Sequence, residues 1–244
     1  MDLLLGDLLG RSFGWLIAHG EEPIDPGPLE ALLARRFAGE PVQYIRRKAE
    51  FFSREFHVDE RVLIPRPETE VLVETAIERA PRGARVVDVG TGSGCIAISL
   101  QRERPDLRVL GVDRSIDALA VADLNRRRLD SPVRLTGSDL IGSTRVPFDV
   151  VVSNPPYVPE EEVLALMTEV REWEPRMALT PGVRGTEIIE RLVGQAGRAL
   201  ILMEMGYGQE AAVREVFRAH GRRIDAVLPD LAGIPRVVVS SAAW

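Results

Sequence analysis

The chain has 244 residues, 45% of them apolar and 28% charged, and a formal net charge of -6. That length suits one large domain, or one domain with a small accessory unit, and the composition excludes collagenous, low-complexity and disulfide-stapled classes. The acidic total disfavours a broad electrostatic grip on nucleic acid, no apolar run approaches the roughly 20 residues that span a bilayer, and the single cysteine, Cys95, can form neither an internal disulfide nor a metal cluster.

The opening stretch, MDLLLGDLLGRSFGWLIAHGEEP, lacks the basic start of a signal peptide, so a cytoplasmic protein is expected. Over residues 1–44, Leu4, Leu5, Leu8 and Leu9, then Leu29, Leu32, Leu33 and Phe37, fall at helical spacing around the break EEPIDPGP, which predicts two or three short helices. From Ile45, EFFSREFHV and RVLI flank the turn-like pair Asp59-Glu60 and predict a β-hairpin linker over 45–66, ending at Pro65 and Pro67. Residues 67–244 then alternate strand-like and helical runs: ARVVDV, CIAISLQRE, LRVLGVD, DALAVADLNRRR, PVRLTG, FDVVVSN, an acidic helix, EIIERLVGQAG, ALILMEM, EAAVREVFRAHG, RIDAVL and RVVVS. Such alternation predicts an α/β domain with a mostly parallel sheet, helices on both faces, and ligand sites in the loops after the strands.

The first such loop is Asp88-Val89-Gly90-Thr91-Gly92-Ser93-Gly94, followed directly by an apolar helical run. Its glycines allow a tight turn and a close approach to a ligand. Gly92, Gly94 and Ala97 also satisfy the dinucleotide pattern GxGxxA, so a nicotinamide or flavin enzyme competes with an S-adenosylmethionine enzyme here. Asp113 ends the next strand, where a carboxylate accepts hydrogen bonds from the ribose hydroxyls of an adenosine. Asp88 tilts the choice towards methyl transfer: dinucleotide enzymes commonly carry an apolar residue there, whereas in a methyltransferase this carboxylate lies near the amino group of the methionine part. Asp139 and Leu140, after the third strand, are candidates for the adenine side.

The fourth strand runs into Asn154-Pro155-Pro156-Tyr157, the most specific stretch of the chain. Two prolines donate no backbone hydrogen bonds and fix φ, which makes a rigid corner with exposed carbonyls. An amino group on a carbonyl or aromatic ring has a delocalised lone pair and is a poor nucleophile. The Asn154 side-chain oxygen and the Pro155 carbonyl, by accepting both of its hydrogens, would orient that nitrogen towards a sulfonium methyl and favour its developing charge, with Tyr157 stacked on the flat acceptor.

Together these residues resemble the N-methyltransferases that share an NPPY motif. EFFSREFHVDERVLIPRPETEVLVE, with GEPVQYI before it and Glu174-Pro175-Arg176 and Gly185 with EIIERL after it, is similar to the release-factor glutamine methyltransferases of the HemK type, over about residues 39–240. The resemblance implies a Rossmann-like class I fold with a seven-stranded sheet and N5-methylation of the glutamine in the Gly-Gly-Gln tip of bacterial class 1 peptide chain release factors. It also implies S-adenosylmethionine held by Gly90 to Gly94 and Asp113, with Leu140 on the adenine side. The glutamine would be held by Asn154 to Tyr157, and the site enclosed by Arg66-Pro67-Glu68-Thr69-Glu70, with Arg66 and Glu68 as substrate contacts. Two departures stand out: the region before Gly39 is shorter than the family's helical domain, and Arg46-Arg47-Lys48-Ala49 stands where a glycine-containing turn is usual.

Three alternatives share some of these features. A ribosomal-protein glutamine, or an adenine or cytosine amino group of nucleic acid, could occupy the same clamp; a dehydrogenase would leave the NPPY corner unexplained; a binding protein would keep the fold without turnover. His19, His57 and His220 lack metal-ligand spacing, so no metal is expected. Arg126, Arg127 and Arg128 read as the basic end of a helix, and Glu160, Glu161 and Glu162 as the acidic start of one. A monomer is expected, with a protein rather than a nucleic acid as its direct substrate.

Overall fold

The computed structural model describes residues 2–23, 25–142 and 147–242. Four helices open it: α1 (Asp2–Leu9), α2 (Phe13–Ala18), α3 (Pro26–Phe37) and α4 (Val42–Arg46). Asp25 caps α3 by accepting from the Gly27 amide, and Pro26 at the first position needs no amide partner. After α4 the chain reverses at Arg47, which itself adopts the left-handed conformation (φ 56°) that the glycine-containing turn would supply. The neighbouring charges are paired: Lys48 Nζ lies 2.7 Å from Asp7 Oδ1, Arg46 also bonds Asp7, and Arg47 faces Asp59 and Glu60.

The hairpin is shorter than the sequence pattern suggests and turns earlier. Strands β1 (Ala49–Phe51) and β2 (Arg54–Phe56) pair antiparallel about Phe52 and Ser53, both at positive φ. Two consecutive positive-φ residues give the tight turn whose twist matches the strands. Asp59-Glu60 does form a turn, with the Val62 amide bonded to the Asp59 carbonyl, but RVLI beyond it is not a strand.

The remainder is the sheet and its covering helices: α5 (Glu70–Arg79), β3 (Arg85–Val89), α6 (Cys95–Glu103), β4 (Arg108–Asp113), α7 (Ile116–Arg128), β5 (Arg134–Gly137), β6 (Val150–Ser153), α8 (Thr168–Trp173), α9 (Arg176–Leu179), α10 (Glu187–Gln195), β7 (Leu200–Glu204), α11 (Glu210–Ala219), β8 (Arg222–Pro229) and β9 (Pro235–Ala242). Strand order is β5-β4-β3-β6-β7-β9-β8; the pairs from β5 to β7 are parallel, and β9 runs antiparallel to both neighbours. This is the mostly parallel, seven-stranded Rossmann-like architecture, with its topological switch between β3 and β6.

Side chains alternate across the strands. Val86, Val109, Val150, Val152 and Leu202 pack under α5 and α6, while Val87, Val112, Val151, Ile201 and Met203 pack under α10 and α11. Each fully buried valine or leucine contributes about 1.5–3 kcal/mol. Phe51 and Phe56 of the hairpin join the first of these layers, so the linker is welded to the sheet domain. Arg126, Arg127 and Arg128 do end a helix, α7. The acidic run after the NPPY corner is a 3-10 segment, Glu160–Ala165, because Pro159 precedes it and Leu166 returns to extended backbone before α8.

Candidate active site

At the switch point, the ends of β3 and β6 are tied together: Ser153 Oγ donates to the Val89 carbonyl at 2.7 Å. One cleft opens over them. It is lined on one side by Val89, Gly90, Gly92, Asp113, Ser138, Asp139 and Leu140, and on the other by Asn154, Pro155 and Pro156; Val62, Leu63, Met177 and Pro181 also face it. Both constellations singled out in the sequence therefore meet in a single cavity. Asp88, Thr91, Ser93, Gly94, Tyr157, Arg66 and Glu68 do not line it.

The loop after β3 takes positive φ at Gly90, Gly92 and Gly94, with open space where a Cβ on Gly90 would stand. Its course is fixed from below. Gly90 and Thr91 amides both bond the Val112 carbonyl, and Thr91 Oγ1 donates to Asp88 Oδ2 at 2.6 Å. Gly111 makes room for that hydroxyl, since a Cβ there would stand 2.8 Å from it. Asp113 is held by two backbone amides, Gly92 to Oδ2 at 2.9 Å and Ser115 to Oδ1 at 2.8 Å, which leaves further lone pairs for a ligand. Burial pushes its carboxyl up.

Asp88 is fully buried, which raises its carboxyl from 3.8 to about 7 against the Thr91 hydrogen bond. Beyond the Thr91 hydroxyl, only the Ala97 amide among the described residues comes near its carboxyl, and Oδ1 lacks a well-formed hydrogen bond, as does the buried Ser138 hydroxyl. Buried polar atoms without partners are costly, and these flank a loop built for close backbone approach, so the donor set fits a polar ligand such as S-adenosylmethionine. Asp139 lines the cleft while its carboxylate pairs with Arg191 at 2.6 Å; Leu140 is buried with φ 56°. Cys95 is a buried thiol that this burial pushes up to about 12.

Across the cleft, the NPPY corner is braced on three sides. Gln209 Nε2 donates to the Tyr157 carbonyl at 2.6 Å, and its Oε1 accepts from the Gly206 amide. Gly185 (φ 76°) sits so close that a Cβ would stand 2.5 Å from the Tyr157 carbonyl. Val158 and Glu160 amides bond the Leu179 and Gly182 carbonyls. Asn154 Nδ2 donates to Thr69 Oγ1 at 3.0 Å, and Thr69 Oγ1 donates to Glu204 Oε2 at 2.7 Å. Among the described residues, neither Asn154 Oδ1 nor the Pro155 carbonyl takes a donor from the protein. The Tyr157 hydroxyl donates to Glu204 Oε1 at 3.3 Å, which ties the end of the ring to this network. Burial pushes Glu204 and Tyr157 up, while the charge of Arg236 opposes both shifts.

Of the PRPETE segment, Arg66 donates to both oxygens of the buried Glu174 (2.6 and 2.8 Å), and Glu68 is exposed. The residue that reaches Asn154 is Thr69. Thr69 lies in the segment expected to enclose the site but is given no role of its own in the sequence, and Glu204 is not named there, although a lone acid ending the buried strand LILME at the ligand edge of the sheet is a usable signal. A third unheralded residue is Asn125 of α7. Its Oδ1 accepts from the His57 amide, and its Nδ2 donates to the His57 and Ser93 carbonyls, stitching the linker to the glycine loop.

Among known proteins, the methyltransferase small domain family matches residues 66–172 and the PrmC N-terminal domain family residues 1–46. The chain is 47% identical over 250 residues to a release factor glutamine methyltransferase of Koribacter versatilis, covering 98% of this chain and 89% of that one. It is 41% identical over 246 residues to one of Geobacter sulfurreducens, covering 96% and 86%. Similarity thus extends in front of Gly39, beyond the stretch the motifs mark. Of solved structures, a methyltransferase of Pyrococcus furiosus matches with a TM-score of 0.61 over 88% of this chain and all of that one; at 15% identity this is likeness of fold alone.

Proposed function

Since the chain belongs to the release factor glutamine methyltransferase family, we propose that it methylates the side-chain amide nitrogen (N5) of the glutamine in the Gly-Gly-Gln motif of class 1 peptide chain release factors, using S-adenosylmethionine. The observation that carries this reading is the one cleft lined both by Asn154 and Pro155, whose Oδ1 and carbonyl take no protein donor among the described residues, and by the glycine loop and Asp113.

Bound there, S-adenosylmethionine supplies the electrophilic methyl group. Asp113 would accept from the ribose hydroxyls, the Gly90–Gly94 backbone would lie against the methionine part, and Asp88, buried beneath that loop, would lie near its amino group. Leu140 and Asp139 would flank the adenine. A primary amide has two N–H donors, one each for Asn154 Oδ1 and the Pro155 carbonyl. Holding both turns the nitrogen's face towards the methyl group and rewards the positive charge that develops on it, without a strong base. The methylated nitrogen then loses a proton to water. Pro156 stiffens the corner, Tyr157 anchors it to Glu204, and Arg66, with Glu68 at the surface, would border the incoming peptide. The helices of residues 1–44 would recognise the body of the factor, with 45–66 as linker and 67–244 as the catalytic domain. A monomer acting in the cytoplasm, where release factors work, completes the proposal.

The test offers labelled S-adenosylmethionine with a purified bacterial release factor, its Gly-Gly-Gln→Gly-Gly-Ala variant, and tRNA. Label on the intact factor alone supports the proposal. Label on tRNA, or equally on the alanine variant, means that the clamp serves another acceptor.

A further inference from the structure

An asparagine amide can be turned two ways at almost equal cost, and only one leaves its oxygen for an incoming N–H. Something in the protein must choose. Asn154 reaches Thr69 Oγ1 at 3.0 Å, and Thr69, 2% exposed in the 3-10 turn Pro67–Thr69, reaches Glu204 Oε2 at 2.7 Å. Glu204 is 1% exposed and ends β7 beside the strand that carries Asn154. A carboxylate can only accept, and a hydroxyl has a single proton. The Thr69 proton therefore points at Glu204, which leaves Asn154 a lone pair and obliges it to answer with Nδ2–H. The Tyr157 hydroxyl donates to the other oxygen of Glu204, so both oxygens act as acceptors; burial raises this carboxyl, and the two hydrogen bonds together with the charge of Arg236 oppose that shift.

We propose that Thr69 and Glu204 are positioning residues: through the hydrogen-bond chain Asn154–Thr69–Glu204 they lock the Asn154 amide with Oδ1 towards the acceptor. The reversed amide would set Nδ2–H against the substrate's own N–H, donor against donor, and would strand the Thr69 lone pair in the interior. The inference rests on the proposed function for the identity of the acceptor; the orientation of Asn154 stands apart from it.

Thr69→Val keeps the shape and deletes the hydroxyl, whereas Thr69→Ser keeps the hydroxyl. Methylation kinetics are to be measured with release factor, cofactor affinity by calorimetry, and the Asn154 side-chain NH2 by 15N NMR, assigned by its loss in Asn154→Ala. Expected is a fall in kcat of up to about 100-fold for Thr69→Val, the scale of a misplaced reacting group, with cofactor affinity unchanged and kcat largely restored in Thr69→Ser. In the unaltered protein and in Thr69→Ser, one Asn154 NH2 proton is shifted and protected; in Thr69→Val that asymmetry is lost. An unchanged kcat in Thr69→Val, a Thr69→Ser protein as slow as Thr69→Val, or an Asn154 signal indifferent to Thr69 overturns the inference. Were the unaltered protein to leave glutamine unlabelled, the proposed acceptor would fail while the NMR comparison still decided the orientation.

Discussion

Asp88→Asn replaces a buried carboxylate with a neutral group of the same shape. In the folded protein, burial raises the Asp88 carboxyl from 3.8 to about 7. The fold thus favours the protonated form, and between those two values the folded chain binds a proton that the unfolded chain has released. Stability from this group is fully present below 3.8 and is lost as pH rises towards about 7. From about pH 5 to about pH 8 the loss amounts to about 2–3 kcal/mol, from 1.36 kcal/mol per tenfold change in protonation. At about 2–4 °C per kcal/mol for a chain of this size, that is on the order of 5–10 °C in Tm. The introduced asparagine would keep the acceptor for Thr91 Oγ1, which lies 2.6 Å from Asp88 Oδ2, and would carry no ionisable group. Scanning calorimetry of both ligand-free proteins across this pH range should therefore show the variant gaining on the parent as pH rises. Titration with S-adenosylhomocysteine should show it binding more weakly, the trade of ligand affinity for stability expected of a strained site. Midpoints that fall in parallel would refute the assignment of a raised, ligand-directed carboxyl to Asp88.

Removing an acceptor contact and removing a cofactor contact should separate cleanly. Asn154→Ala should lower kcat by about 100-fold or more and spare cofactor affinity, while Asp113→Ala should weaken S-adenosylmethionine first; calorimetry beside initial rates distinguishes them, and a large affinity loss in Asn154→Ala would contradict the division. Arg66→Ala leaves the buried Glu174 without the guanidinium 2.6 Å away and should cost about 2–3 kcal/mol in urea unfolding, with Arg66→Lys recovering part of it. Gly185→Ala should impair turnover as well as folding, because a Cβ would stand 2.5 Å from the Tyr157 carbonyl in backbone (φ 76°) that alanine resists; wild-type kcat in that variant would show that the corner tolerates movement.

The sheet domain is legible in the sequence because its signals are local. Runs such as VVDV and DVVVS are short, β-branched and buried on both faces, and the glycine loop and NPPY corner follow strands directly. The hairpin turn is not legible in the same way. Phe52 and Ser53 take positive φ although neither is a residue that turn chemistry favours, and the burial of Phe51 and Phe56 against the sheet decides the register. The glycine-free linker turn at Arg47 is a similar case, held by cap bonds to Gln43 and Tyr44 and by surrounding acids. Within the site, Val62, Leu63, Met177 and Pro181 line the cleft without any motif signal, and only part of the lining, such as Gly90, Asp113 and Asn154, follows from motif spacing. Thr69, Glu204, Gln209 and Asn125 do not, since their partners lie 85, 135, 52 and 68 positions away and only the folded topology joins them. Tyr157 shows the same limit from the other side: its motif gives no sign that its hydroxyl bonds Glu204, 47 positions away.

The Asn154 corner is proposed to present a primary amide to a methyl donor held over Asp113. Fragmentation mass spectrometry of the peptide carrying Gly-Gly-Gln, after incubation of release factor with S-adenosylmethionine and either the unaltered protein or Asn154→Ala, tests it most directly. One added methyl on the glutamine side-chain nitrogen is expected with the unaltered protein and almost none with the variant. A methyl on any other residue, or equal modification by both proteins, would contradict it.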